Sequence, residues 1–150
     1  MLVDDYPYDK LLDDHKYVIC GFCALARTGL IVFPSHVLCC WTQYENLDGL
    51  DAIGIQYQYN PAIDYEYDVI PMHTNSLILL PSKERAIVEY ILCERWCDEG
   101  LLIEALKTYG FQKDGDFSKL YPAAEHFSLP KKSLDYWIQE ALTDDSILAQ

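Results

Sequence analysis

The sequence predicts an α+β domain: a small, largely antiparallel sheet with a leading helix and a C-terminal group of about four helices. Three observations predict it. The chain has 150 residues, a length that fits one domain and buries roughly two-thirds of its unfolded surface in a single core. Residues 17–80 hold one helical stripe followed by brief apolar runs divided by turn residues. From residue 81 onward the apolar spacing changes to a helical period. A hydrophobic content of 51% sets disorder aside, since a disordered chain combines few apolar side chains with high charge.

Taken in order, residues 1–15 read as an arm or short helix, with Leu11 and Leu12 between aspartates. Residues 17–29 read as the leading helix, because Val18, Phe22, Leu25 and Ala26 share one stripe. Gly29 stands where a left-handed C-terminal cap would be, with Leu30 just beyond it. Residues 36–42 favour a strand, as do residues 52–59, where Ile53, Ile55, Tyr57 and Tyr59 alternate with polar side chains. Residues 67–72 and 77–80 give two more extended runs. Ser82 is an N-cap for a helix that buries Ile87, Val88, Ile91 and Leu92. Asp98 caps a second helix, stopped at Gly110. A third spans residues 116–127, and a fourth begins at Pro130, a favoured first helical position. The single domain thus divides into helix plus sheet over 16–80 and a helical part over 81–142. The tail 143–150 is expected to fray.

The charge narrows the partners. With 24 acidic and 11 basic side chains the formal charge is −13. Nucleic-acid binders carry a basic footprint, so the balance argues for a basic protein partner. Residues 1–80 hold 11 of the acidic groups against 3 basic ones. No basic and apolar leader opens the sequence, and no apolar run is long enough to span a membrane, so the cytoplasm is the expected location.

Chemical motifs are sparse. There is no phosphate-binding loop, dinucleotide fingerprint, HExxH or GxSxG pattern. His15, His36, His73 and His126 are scattered, no catalytic residue is assigned, and no cofactor is expected. Six cysteines in a chain expected in the reducing cytoplasm read as buried thiols. A closed zinc site from Cys20, Cys23, Cys93 and Cys97 is the alternative, since the first pair has knuckle spacing and the second shares a helical face.

Two segments draw more attention. Residues 57–68 place Tyr57, Tyr59, Tyr65 and Tyr67 beside Asp64, Glu66 and Asp68. Tyrosine gives rigid, amphipathic contact area, so the stretch is a candidate partner-binding surface. A solvated hairpin with one tyrosine face in the core is the plainer alternative. Residues 81–86, Pro-Ser-Lys-Glu-Arg-Ala, hold Glu84 and Arg85 in the first turn of a helix. Either they form a functional pair, or Lys83 and Arg85 point to solvent or brace a neighbouring loop. A buried Arg85 paired with an acidic residue of the sheet would be a structural role.

Residues 17–30, followed by Pro34 and the run 37–42, resemble the opening of the C-terminal domain of abortive-infection AbiEi-type antitoxins, of type IV toxin–antitoxin systems. Ala24, Leu25, Gly29 and Leu30 match its Ala-Leu and Gly-Leu pairs, and Glu84 and Arg85 match its Glu-Arg helix start. The likeness covers roughly residues 15–110. It implies a fold-defining role for the matching residues. It also implies a partner that is a nucleotidyltransferase-like toxin. In that family the domain follows a winged helix-turn-helix that represses its own operon. Only about 15 residues precede the similar region here, so that part is expected to be missing, and the acidity points the same way.

The expectation is therefore a non-enzymatic, antitoxin-like binding domain acting through protein–protein contact. A DNA-binding regulator of the same family is the alternative. It would need Lys107, Lys113, Lys119, Lys131 and Lys132 to cluster on one face. A thiol- or metal-dependent enzyme is a further alternative. A homodimer through an exposed sheet edge is compatible with each.

Overall fold

The computed structural model describes residues 16–32, 38–45, 55–72, 77–93, 98–113 and 115–143. The expectations for the arm 1–15, for Pro34, His36, Ile53, His73 and Cys97, and for the tail 144–150 lie outside the described residues.

The α+β class is what the chain adopts. Strand β1 (Tyr17–Ile19) leads into α1 (Gly21–Arg27), then β2 (Leu38–Thr42), β3 (Ile55–Tyr59), β4 (Val69–Pro71) and β5 (Ile78–Pro81). Helices α2 (Lys83–Leu92) and α3 (Glu99–Phe111) follow. A 3-10 turn (Phe117–Lys119) then runs into α4 (Leu120–His126), and α5 (Lys131–Thr143) completes the order.

The leading helix is shorter than its periodicity suggests, because Tyr17, Val18 and Ile19 form a strand. All three are buried. A strand covered on both faces reads as a continuous apolar run with no alternation to mark it, and aromatic and β-branched residues favour that state. Gly21, at φ 61°, makes the turn from strand to helix.

The five strands run in the order β3-β2-β1-β5-β4. β1 is antiparallel to β2 and parallel to β5, with Val18 facing Trp41 on one side and Leu79 on the other. β2 and β3 are parallel, and β4 and β5 antiparallel. The sheet is thus evenly mixed, not largely antiparallel. The 43–54 connection is long enough for a parallel crossover, which a tight hairpin is not.

Helix α1 ends in a left-handed cap at Gly29, φ 81°. The amide of Leu30 donates to Leu25 O at 2.9 Å and that of Gly29 to Ala26 O at 3.1 Å. This is the two-bond cap that lets a buried apolar residue beyond the glycine pack back on the last turn; Leu25 and Leu30 are both fully buried. Ser82 and Asp98 cap α2 and α3 as expected, accepting from the amides of Arg85 (3.1 Å) and Leu101 (3.0 Å). Helix α3 continues through Gly110 to Phe111 instead of stopping at the glycine. Helices α1 and α2 pack on each other and on the sheet, while α3 and α4 pack on α2 and α5 packs on α3 and α4. The core runs continuously from Tyr17, Ile19 and Trp41 through Ile87 and Leu106 to Leu134 and Ile138.

Candidate functional site

Residues 60–68 connect β3 to β4 with no regular structure, yet few of their polar groups are idle. Asn60 Oδ1 accepts from Ala62 N at 3.0 Å. Asp64 Oδ1 accepts from the amides of Glu66 (2.8 Å) and Tyr67 (2.9 Å), the self-closing turn that a short carboxylate favours. The Tyr65 hydroxyl accepts from Gln43 N at 2.9 Å. Asp68, at φ 48°, receives Ser82 N on its carbonyl (2.9 Å) and Ser82 Oγ on its carboxylate (3.2 Å).

Arg85 holds this loop from beneath. Its first-turn position on α2 points it inward, and it is completely buried. Nη1 donates to Tyr67 O at 2.5 Å and Nη2 to Asp64 O at 2.7 Å. Nε donates to Glu89 Oε1 at 2.8 Å, one turn along the same helix. The guanidinium lies 4.9 Å from the centre of the Phe127 ring, within cation–π range. Arg85 therefore braces a neighbouring loop, as one sequence reading held. It does not point to solvent, and its acidic partner is Glu89 on its own helix, not a residue of the sheet. Burial pushes the Glu89 carboxyl above its usual range, and the hydrogen bond and charge of Arg85 only partly offset this.

A second anchor comes from α4. His126 Nε2 lies 2.8 Å from Asp64 Oδ2. The Tyr67 ring stacks on the imidazole at 3.8 Å and 10°, and Phe127 meets both rings edge-on. Partial burial alone would raise the Asp64 carboxyl. The Glu66 amide, His126, the Tyr67 amide and the Arg85 charge outweigh it and hold the group at about 2. A His–Asp pair can serve catalysis when a nucleophile adjoins it. Here His126 has a hydrogen bond to Asp64 and to no serine, threonine or cysteine among the described residues.

Tyr57 and Tyr59 lie on β3, whereas Asp64, Tyr65, Glu66, Tyr67 and Asp68 lie in the loop to β4. Because β3 and β4 are opposite edges of the sheet, the segment is not the hairpin that one sequence reading allowed, and the loop runs from one edge to the other. Tyr57, Asp64, Tyr65 and Tyr67 are half-buried, whereas Tyr59, Glu66 and Asp68 are exposed. No Lys or Arg occurs anywhere in residues 28–82, which carry six carboxylates. Among the described residues Glu66 and Asp68 make no ion pair, because the nearby Arg85 turns its charge inward. Glu89, His126 and Phe127 are the site residues that sequence reasoning missed. An Arg–Glu pair four apart is common on exposed helix faces, so its spacing does not announce burial.

The other sequence-selected residues are structural. Ala24, Leu25, Gly29 and Leu30 build α1 and its cap. Glu84 lies beside the Tyr109 hydroxyl, whose pKa is raised by burial and then by that carboxylate. Cys20, Cys23, Cys39 and Cys40 are buried free thiols, and Cys93 is half-buried. Among the described residues no group of three or more Cys, His, Asp or Glu is arranged to hold a metal ion. Burial drives the Cys20 and Cys40 thiols upward, and a hydrogen bond with Cys23 followed by burial does the same for Cys39. Protonated, enclosed thiols are poor nucleophiles. Cys20, Cys23, Cys39 and Cys40 are therefore expected to resist dithionitrobenzoate at pH 8 in the native protein and to react fully once it is unfolded. Fast reaction of any one of the four before unfolding, read by absorbance and peptide mapping, would contradict this.

No helix among the described residues is long and apolar enough to cross a membrane. No protein-family model matches the chain, and no curated protein matches it.

Proposed function

We propose that this chain is a non-enzymatic protein-binding domain whose β3–β4 loop surface receives a basic partner. The resemblance to AbiEi-type antitoxins makes a nucleotidyltransferase-like toxin the partner class to test first. The supporting observation is the loop itself: nine irregular residues bonded from beneath by a buried arginine, with Tyr65 half-exposed and the carboxylates of Glu66 and Asp68 exposed. A surface ordered beforehand loses less conformational entropy on binding. Tyr59, 44% exposed, and Tyr65 supply contact area, while Glu66 and Asp68 supply the potential that steers a cationic partner and sets its register.

The DNA-binding alternative is weakened by Lys107, which is only 5% exposed and so cannot join a phosphate-contacting face. The test is recovery of a partner by affinity capture and by co-expression with a neighbouring nucleotidyltransferase gene. With that partner in hand, the double reversal Glu66→Lys, Asp68→Lys is expected to lower affinity about tenfold, chiefly through the association rate and its salt dependence. Binding that is indifferent to the reversal would place the partner surface elsewhere. Salt-dependent binding to upstream DNA by the intact chain would favour the alternative.

A further inference from the structure

Four buried thiols gather where β1, α1 and β2 join: Cys20 and Cys23 at the start of α1, Cys39 and Cys40 on β2. All four are free. The Cys20 amide donates to Cys39 O at 2.9 Å, which fixes the start of α1 beside β2. Cys23 and Cys39 are in direct contact. The Cys39 amide donates to Cys23 Sγ at 3.3 Å, and the two side chains hydrogen-bond to each other. A sulfur that close to the other residue's backbone sets the two chains at a separation that a disulfide spans. Cys23 lies in the first turn of α1, a helix of 7 residues whose N-cap, Cys20, makes no side-chain capping bond. A covalent tie at Cys23 would secure a helix end that no side chain caps.

We infer that Cys23 and Cys39 form a redox-responsive clip, a dithiol that closes into a disulfide between α1 and β2 with oxidised glutathione as the oxidant. One protein thiol, deprotonated, attacks a sulfur of the glutathione disulfide and expels a glutathione thiolate. The second protein thiol, deprotonated, attacks the protein sulfur of the mixed disulfide and expels the other glutathione. The Cys23–Cys39 bond forms as the glutathione S–S bond breaks. The two cysteines give up two electrons and two protons, and the two released glutathione thiols carry them away. Both protein sulfurs are enclosed, so the first attack waits on local opening of the α1–β2 contact. Closure in the folded chain is therefore slow, in keeping with thiols that resist dithionitrobenzoate, while the contact between the two sulfurs selects the pair that ends up joined.

The test starts from the full chain, reduced and unfolded in urea, and refolds it at pH 8 in equal concentrations of reduced and oxidised glutathione. Remaining thiols are blocked with N-ethylmaleimide and the disulfides are mapped by peptide mass. The expected product joins Cys23 to Cys39 and leaves Cys20 and Cys40 as thiols. Folded protein placed in the same buffer should reach the same pairing more slowly. The clip closes a loop of about 15 residues, so it should raise the unfolding temperature by about 5–10 °C, and dithiothreitol should remove the rise. Cys39→Ala should abolish the link and the rise, whereas Cys40→Ala should abolish neither. If Cys39→Ala does not fold, the map of the parent chain decides alone. Three results would overturn the assignment: Cys23 and Cys39 recovered as thiols or as glutathione adducts, Cys23 joined to Cys20 or Cys40, or an oxidised form no more stable than the reduced one. None of these outcomes bears on the loop surface, so the two readings fail separately.

Discussion

Arg85→Leu is expected to destabilise the protein by about 3–5 kcal/mol, the range found when one member of a buried ion pair is removed. Arg85 is fully buried and Glu89 is 5% exposed, so the substitution strands a carboxylate with no cation. It also leaves the carbonyls of Asp64 and Tyr67 without their donors. Lysine is a poor substitute, because the site uses the planar fork: Nε and Nη2 reach Glu89, while Nη1 and the same Nη2 reach the loop carbonyls. Arg85→Leu combined with Glu89→Leu is expected to recover much of the loss, since removing both charges spares the desolvated carboxylate. The double variant should still show rapid amide exchange over residues 64–68, because the loop carbonyls remain unbonded. Urea unfolding measures the first effect and hydrogen exchange the second. An Arg85→Leu protein within about 1 kcal/mol of the parent, the size of an exposed pair, would mean that Arg85 is not the keystone described.

The same residues show what sequence reading can and cannot reach. Ser82, Asp98 and the Gly29–Leu30 pair were legible because caps are local: donor and acceptor lie within five residues. The helical period of α2, α3 and α5 was legible for the same reason. Strand β1 was hidden because Tyr17, Val18 and Ile19 are all buried, and three apolar residues fit a helix stripe as well as a central strand. The strand order was hidden because pairing of Tyr17 with Ile78 leaves no mark in either segment. The tyrosine–carboxylate surface could be seen in composition. Its supports could not, since His126 meets Asp64 across 62 positions and Arg85 reaches back 21 to the same residue's carbonyl.

Asp64→Ala carries the second large effect, and its size depends on pH. The Asp64 carboxyl is held at about 2 in the folded chain, below the ordinary value near 3.9. A lowered folded value contributes stability that is fully present above the unfolded pKa and is lost as pH falls through the folded one. The contribution is therefore complete above about pH 5, near 2 kcal/mol, and mostly gone by about pH 2. Glu89 acts in the opposite sense: its raised folded value disfavours the fold at neutral pH and relaxes as acid protonates it. The acid profile of the parent protein mixes the two; the difference between parent and Asp64→Ala removes the Asp64 contribution together with the smaller push that its charge gives Glu89. That difference, from urea midpoints, is expected to shrink steadily from pH 5 to pH 2; a constant difference would refute the linkage. Asp64→Asn should fall between, because its side-chain carbonyl can still accept from the Glu66 and Tyr67 amides while the charge facing His126 is lost. At the partner surface Asp64 is a positioning residue. Its loss should weaken binding chiefly through a loosened loop, changing the salt dependence of association less than the double reversal of Glu66 and Asp68 does. Measuring both separates a loop that presents its carboxylates from a loop whose carboxylates only hold it together.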